Sequence, residues 1–137
     1  MAETRVPVER PLSPHLTIYK MSRYSLLSSF SNRLAGLAAS AGFVLLVDWL
    51  VAAARGPQAY ARTAGALSTP LAKGVFAVLL LAVVYHLLAG IRHLVWDTGR
   101  GLERAQSRRS AWLIAVLTLI LASALAYWAF LARSGGA

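Results

Sequence analysis

The chain has 137 residues, 58% of them apolar and 14% charged, with a formal net charge of +9 and no cysteine. That length fits one domain, but the balance is too apolar for a soluble globular fold. The missing cysteine excludes thiolate-held iron–sulfur clusters, covalent c-type haem attachment and Cys-based zinc sites in this chain. The basic residues gather at the ends of apolar runs rather than in a stripe with interleaved aromatics, so no nucleic-acid partner is expected.

In chain order, residues 1–28 read as a polar arm in which Pro7, Pro11 and Pro14 favour an extended path. A cleaved signal peptide is not expected, because this polar stretch precedes the first apolar run and that run is too long. An Arg- and Ser-rich presequence is also missing, which favours a bacterial chain over a mitochondrial precursor. Ser25, Ser28, Ser29 and Ser31 sit where they can cap the first span or a short helix leading into it. A first helix is predicted over about 29–54. Its small residues Ala35/Ala39 and Gly36/Ser40, four apart, let another helix approach closely. The segment Arg55 to Thr69 reads as a loop, with a turn at Gly56-Pro57 and a helix start at Ser68-Thr69-Pro70. A second helix is predicted over about 70–97, a loop with breakers Gly99 and Gly101 over Thr98 to Arg109, and a third helix over about 110–132. A short tail, 133–137, follows.

The three apolar runs, Leu34–Ala54, Leu71–Ile91 and Ala111–Leu131, each match the ~20 residues that cross a hydrocarbon layer of ~30 Å. They lack the polar residue at every third or fourth position that a soluble bundle shows. The fold class is therefore an all-α membrane protein with three transmembrane helices, 29–132, in contact with membrane lipid. Arg5, Arg10, Lys20, Arg23, Arg33, Arg92, Arg100, Arg104, Arg108 and Arg109 fall on one side, and only Arg55, Arg62, Lys73 and Arg133 on the other. The positive-inside rule puts the amino terminus in the cytoplasm and the carboxyl terminus outside.

The second helix carries the chemistry. His86 is the one metal-capable side chain in its uncharged stretch, about 5 Å to the cytoplasmic side of the middle. An imidazole at that depth needs a partner. Two readings are open: a hydrogen bond to a neighbouring helix, or an axial ligand to haem iron. His93 lies two turns on, about 10 Å away on the same face. That is too far to share one iron but within reach of a haem propionate. Arg33, on the antiparallel first helix, and Arg92 come to the same level. These groups are either donors to the anionic edge of a cofactor or anchors for lipid headgroups. A b-type haem commonly takes an axial ligand from each side. Only one histidine here has suitable depth, His15 being in the arm, so a second ligand would come from a partner chain.

Three segments resemble the cytochrome b membrane-anchor subunit of succinate dehydrogenase (succinate:quinone oxidoreductase, respiratory complex II). Arg-Pro-Leu-Ser-Pro-His-Leu-Thr-Ile-Tyr at 10–19 is similar to that family's amino-terminal signature. Ser-Phe-Ser-Asn-Arg-Leu-Ala-Gly at 29–36 resembles its Ser-Ile-x-His-Arg-x-x-Gly. His-Leu-Leu-Ala-Gly-Ile-Arg-His-Leu-Val-Trp-Asp at 86–97 resembles its His-x-x-x-Gly-x-Arg-His-x-x-x-Asp. The likeness runs from Arg10 to about Leu131.

The resemblance implies a haem b held by His86, with propionate contacts from Arg33 and His93, and a ubiquinone site that includes Ser29, Arg33 and the neighbouring Asp97. Asn32 stands where the family has a histidine associated with the propionates; asparagine can hydrogen-bond there but carries no charge. The implied partners are a flavoprotein subunit, an iron–sulfur subunit and a second membrane-anchor subunit. The implied place is the bacterial cytoplasmic (inner) membrane. The chain would act as a subunit of the enzyme with no dicarboxylate-oxidising site of its own. An anchor of a fumarate reductase running in reverse, and a non-redox membrane scaffold, are the competing readings.

Overall fold

The computed structural model describes residues 23–129. Residues 1–22 of the expected arm, with His15, the last residues of the third span and the tail 133–137 lie outside the described residues. Four helices are present: α1 (Arg23–Ala54), α2 (Pro57–Leu67), α3 (Pro70–Asp97) and α4 (Arg104–Tyr127). α1, α3 and α4 are long and apolar enough to cross a membrane. Even α4, with 24 residues, reaches ~36 Å at the α-helical rise, beyond the ~30 Å hydrocarbon layer.

α3 is the central element, packed on α1 along one side and on α4 along another. The buried positions are mostly small: Ala35, Ala39, Ala52, Ala89 and Ala122, joined by Val84 and Ile114. Large apolar side chains such as Leu37, Val44, Leu71, Leu87 and Leu119 point outward instead. That inversion suits lipid. Between helices in a bilayer there is no hydrophobic drive, so association relies on close backbone approach over small residues. Gly42, for example, faces the side chain of Leu79 with just room for a Cβ.

The helices differ from expectation in three places. α1 takes in the whole serine cluster and begins at Arg23, with Ser28 Oγ donating to the carbonyl of Ser25 at 3.3 Å. The segment expected as a loop holds α2. Pro57 occupies its first turn, where a missing N–H costs nothing, and Gln58, Ala59, Ala61, Arg62 and Ala64 are good helix formers. α2 is fixed to the end of α1 in part by Trp49 and Tyr60, with ring centroids 6.0 Å apart. α4 begins at Arg104, ahead of the expected Ser110. The start of α3 follows its sequence signal: Thr69 is the N-cap, its hydroxyl accepts from the N–H of Ala72 at 3.3 Å, and Pro70 comes next.

Candidate functional site

His86 lies on the α3 flank that α4 leaves open, and its side chain is exposed. Its ring rests on Gly36 of α1. A Cβ at that position would stand 3.0 Å from His86 Cε1 and 3.3 Å from Nδ1, so only glycine leaves the ring where it is. His86 Nδ1 is 3.2 Å from the backbone carbonyl oxygen of Asn32. A carbonyl can only accept, so Nδ1 carries the proton and Nε2 keeps its lone pair. Metal-ligating histidines are commonly held by this kind of tie to the other ring nitrogen. The tie uses the backbone of residue 32, so asparagine in place of the family's histidine leaves it intact.

The described residues hold no group of three or more His, Cys, Asp or Glu that could form a metal centre by themselves. A lone oriented imidazole instead fits haem, whose porphyrin supplies the equatorial ligands. Further along the α1–α3 groove, a cavity of about 530 Å³ is lined by apolar residues. Two of them, Ala39 and Val83, lie one turn beyond Gly36 and His86.

A second cavity, about 310 Å³, opens where α1, α3 and α4 converge near the α3–α4 loop. Ser25, Ser28 and Ser29 line it from α1, Ala89, Arg92, His93 and Trp96 from α3, and Ser107 from α4. Arg92 is only 8% exposed. Its Nε donates to Ser110 Oγ at 2.9 Å, and its Nη2 donates to the Ser107 carbonyl at 2.8 Å and to Ser107 Oγ at 3.0 Å. The guanidinium carbon stands 4.0 Å from the centre of the Trp96 ring, a cation–π arrangement. Trp96 is itself fixed, because its Nε1 donates to the carbonyl of Gly101 at 3.0 Å. Gly101 has φ 77°, a conformation that favours glycine, and packs against the indole. His93 Nδ1 is 2.7 Å from the Ala89 carbonyl, with its ring edge-on to Trp96 at 5.1 Å.

The residues expected to share a site are thus divided. Ser29 and His93 meet in the second cavity; His86 sits on the open flank. Arg33 and Asp97 are exposed and do not line the cavity. Arg33 makes no hydrogen bond or ion pair among the described residues. Sequence reasoning left Arg92 as a donor to a cofactor edge or a headgroup anchor, took Trp96 as a member of the third motif, and passed over Ser107. The four-residue spacing of Arg92 and Trp96 places both on one helix face and is the signal that could have found them. At the other end of the bundle Asp48, the one acid inside the first apolar run, joins Arg55 and Arg62 around a small polar notch.

A membrane-spanning helical subunit with one ligand-ready histidine and a polar cavity at one end is the class that fold and site define. The family model for the succinate dehydrogenase/fumarate reductase transmembrane subunit matches residues 7–125. The chain belongs to that family, and it is a multi-pass inner-membrane protein. It is 40% identical over 119 residues to the succinate dehydrogenase cytochrome b556 subunit of Paracoccus denitrificans, covering 82% of this chain and 91% of that protein. The cytochrome b560 subunit of Reclinomonas americana is 40% identical over 100 residues, 70% of this chain and 69% of its own length. The human mitochondrial cytochrome b560 subunit is 34% identical over 119 residues, 85% of this chain and 70% of its own.

Proposed function

We propose that this chain is the haem b-binding membrane anchor of a succinate dehydrogenase, and that it helps form the site where ubiquinone is reduced. The observation that carries the reading is His86: exposed on a spanning helix, seated on Gly36, with Nδ1 tied to the Asn32 carbonyl and Nε2 open. Bound there, haem b supplies a one-electron carrier. His86 would hold it, and Arg33 and His93 would offer cationic or donor groups to its carboxylates. A second membrane-anchor subunit would supply the other protein ligand.

Dicarboxylate oxidation belongs to a flavoprotein subunit, and an iron–sulfur subunit passes the electrons to the membrane. Quinone reduction takes up two electrons and two protons, so its pocket lies where the soluble subunits dock, at the end with the α3–α4 loop, on the cytoplasmic side. Ser29 donates a hydrogen bond to a quinone carbonyl, with Arg33 and Asp97 near the mouth. Changing His86 to Ala in the assembled complex is expected to abolish or shift the low-spin b-type spectrum. An unchanged reduced-minus-oxidised spectrum and midpoint potential would remove His86 as the ligand.

A further inference from the structure

We infer that Arg92 supplies a positive charge to the wall of the quinone cavity and that α4 exists in part to aim it. This rests on the reading of the Ser29 cavity as the quinone site. Among the described residues of the lining, Arg92 is the only guanidinium or ammonium group, whereas Arg33 is exposed and outside it.

A guanidinium has five N–H donors. The Nε donor goes to Ser110, and both Nη2 donors go to Ser107. The Nη1 pair has no partner among the described residues. Three bonds to α4 and the Trp96 face beneath hold the side chain across the helix pair, away from the lipid headgroups that an interfacial anchor would seek. Arg92 is thus a buried residue that keeps two donors without a partner among the described residues, in the lining of a cavity that Ser29 shares. A quinone carbonyl oxygen is an acceptor that gains negative charge as electrons arrive. A cation and a hydroxyl already in position stabilise that charge without reorganising. Ser107 therefore acts through Arg92, as a positioning residue that also walls the cavity.

The test uses the assembled complex with short-chain ubiquinone. Arg92→Gln keeps an amide that can bond α4 but removes the charge. Arg92→Lys keeps the charge and loses the fork. The glutamine variant is expected to lose at least tenfold in kcat/KM for ubiquinone, while the lysine variant stays within about threefold of the parent. Succinate oxidation with an artificial acceptor and the haem spectrum should be unaltered in both. Parental kcat/KM in Arg92→Gln overturns the proposal, as does equal impairment of the two variants, since a packing role needs the fork and not the charge.

If the glutamine variant does not assemble, the Ser107→Ala/Ser110→Ala double variant replaces it. That variant leaves the charge and its bond to the Ser107 carbonyl but removes two of the three hydrogen bonds that aim it, and KM for ubiquinone should rise at least fivefold. An unchanged KM overturns the proposal. Ser29→Ala separates this from the underlying reading. If it is impaired while Arg92→Gln is not, only the role of Arg92 falls. If neither is impaired, the cavity is not the quinone site.

Discussion

His86 and Arg92 are both polar side chains on α3, less than two turns apart, and their surroundings are opposite. Arg92 faces α4 and is buried with three hydrogen bonds from its own chain plus an aromatic face. His86 faces outward, with one hydrogen bond to a backbone carbonyl and its second nitrogen open. A polar group in a membrane-spanning segment is costly unless it is partnered. Arg92 obtains most of its partners inside the chain. His86 is only steered by the chain, and its Nε2 has no partner among the described residues. Depth and residue type alone do not separate such a helix-tying group from a ligand-binding one. What separates them is how many of the group's bonding directions the fold itself uses.

The largest effect on that contrast should come from crowding His86. Gly36→Val puts bulk where a single Cβ would already stand 3.0 Å from the ring, so the imidazole must leave its place. Haem content should fall to a small fraction of the parent, and Gly36→Ala should keep haem with an altered midpoint potential. Redox titration of membranes checks both. Full haem content at the parental potential in the valine variant would show that the seat on Gly36 is irrelevant.

A smaller effect is expected at the polar cavity. Removing the Ser29 hydroxyl as Ser29→Ala should lower kcat/KM for ubiquinone about tenfold, the worth of one hydrogen bond of ~1.4 kcal/mol. Arg33→Leu, outside the lining, should act less on quinone and more on the haem potential. Electron transfer from succinate to an artificial acceptor should hold in both. The comparison breaks if Arg33→Leu abolishes quinone reduction while Ser29→Ala is silent.

The smallest effect belongs to Asn32. Its side-chain oxygen is buried with no hydrogen-bond partner among the described residues, and its tie to His86 runs through the backbone. Asn32→Ala should therefore leave haem content and spectrum close to the parent, because removing an unpaired buried acceptor forfeits no bond. A loss of haem comparable to that of Gly36→Val would mean that the amide, and not the carbonyl, orients the ring.

Much of the molecule was legible beforehand. Three spans follow from apolar runs of membrane length, because bilayer thickness imposes a length that composition cannot hide. The start of α3 follows from Thr69-Pro70, since capping is a matter of adjacent residues. His86 stands out by being alone in an apolar helix, and the segment 86–97 tied it to its family. α2 was missed because Gly56-Pro57 reads equally as a turn or as a helix start. The small faces were visible as well, but Gly36 appeared there only as one member of a helix-packing pair. Tertiary packing alone showed that what approaches it is His86.

Sequence by itself determined the spanning architecture, the family and the candidate ligand, since each depends on local order along the chain. Only the tertiary structure decided which polar groups meet. Asn32 with His86, Ser29 with His93, and Arg92 with Ser107 and Ser110 are each brought together by helix rotation and close approach. Those are set jointly by the small residues of two packed helices, and neither helix encodes them alone.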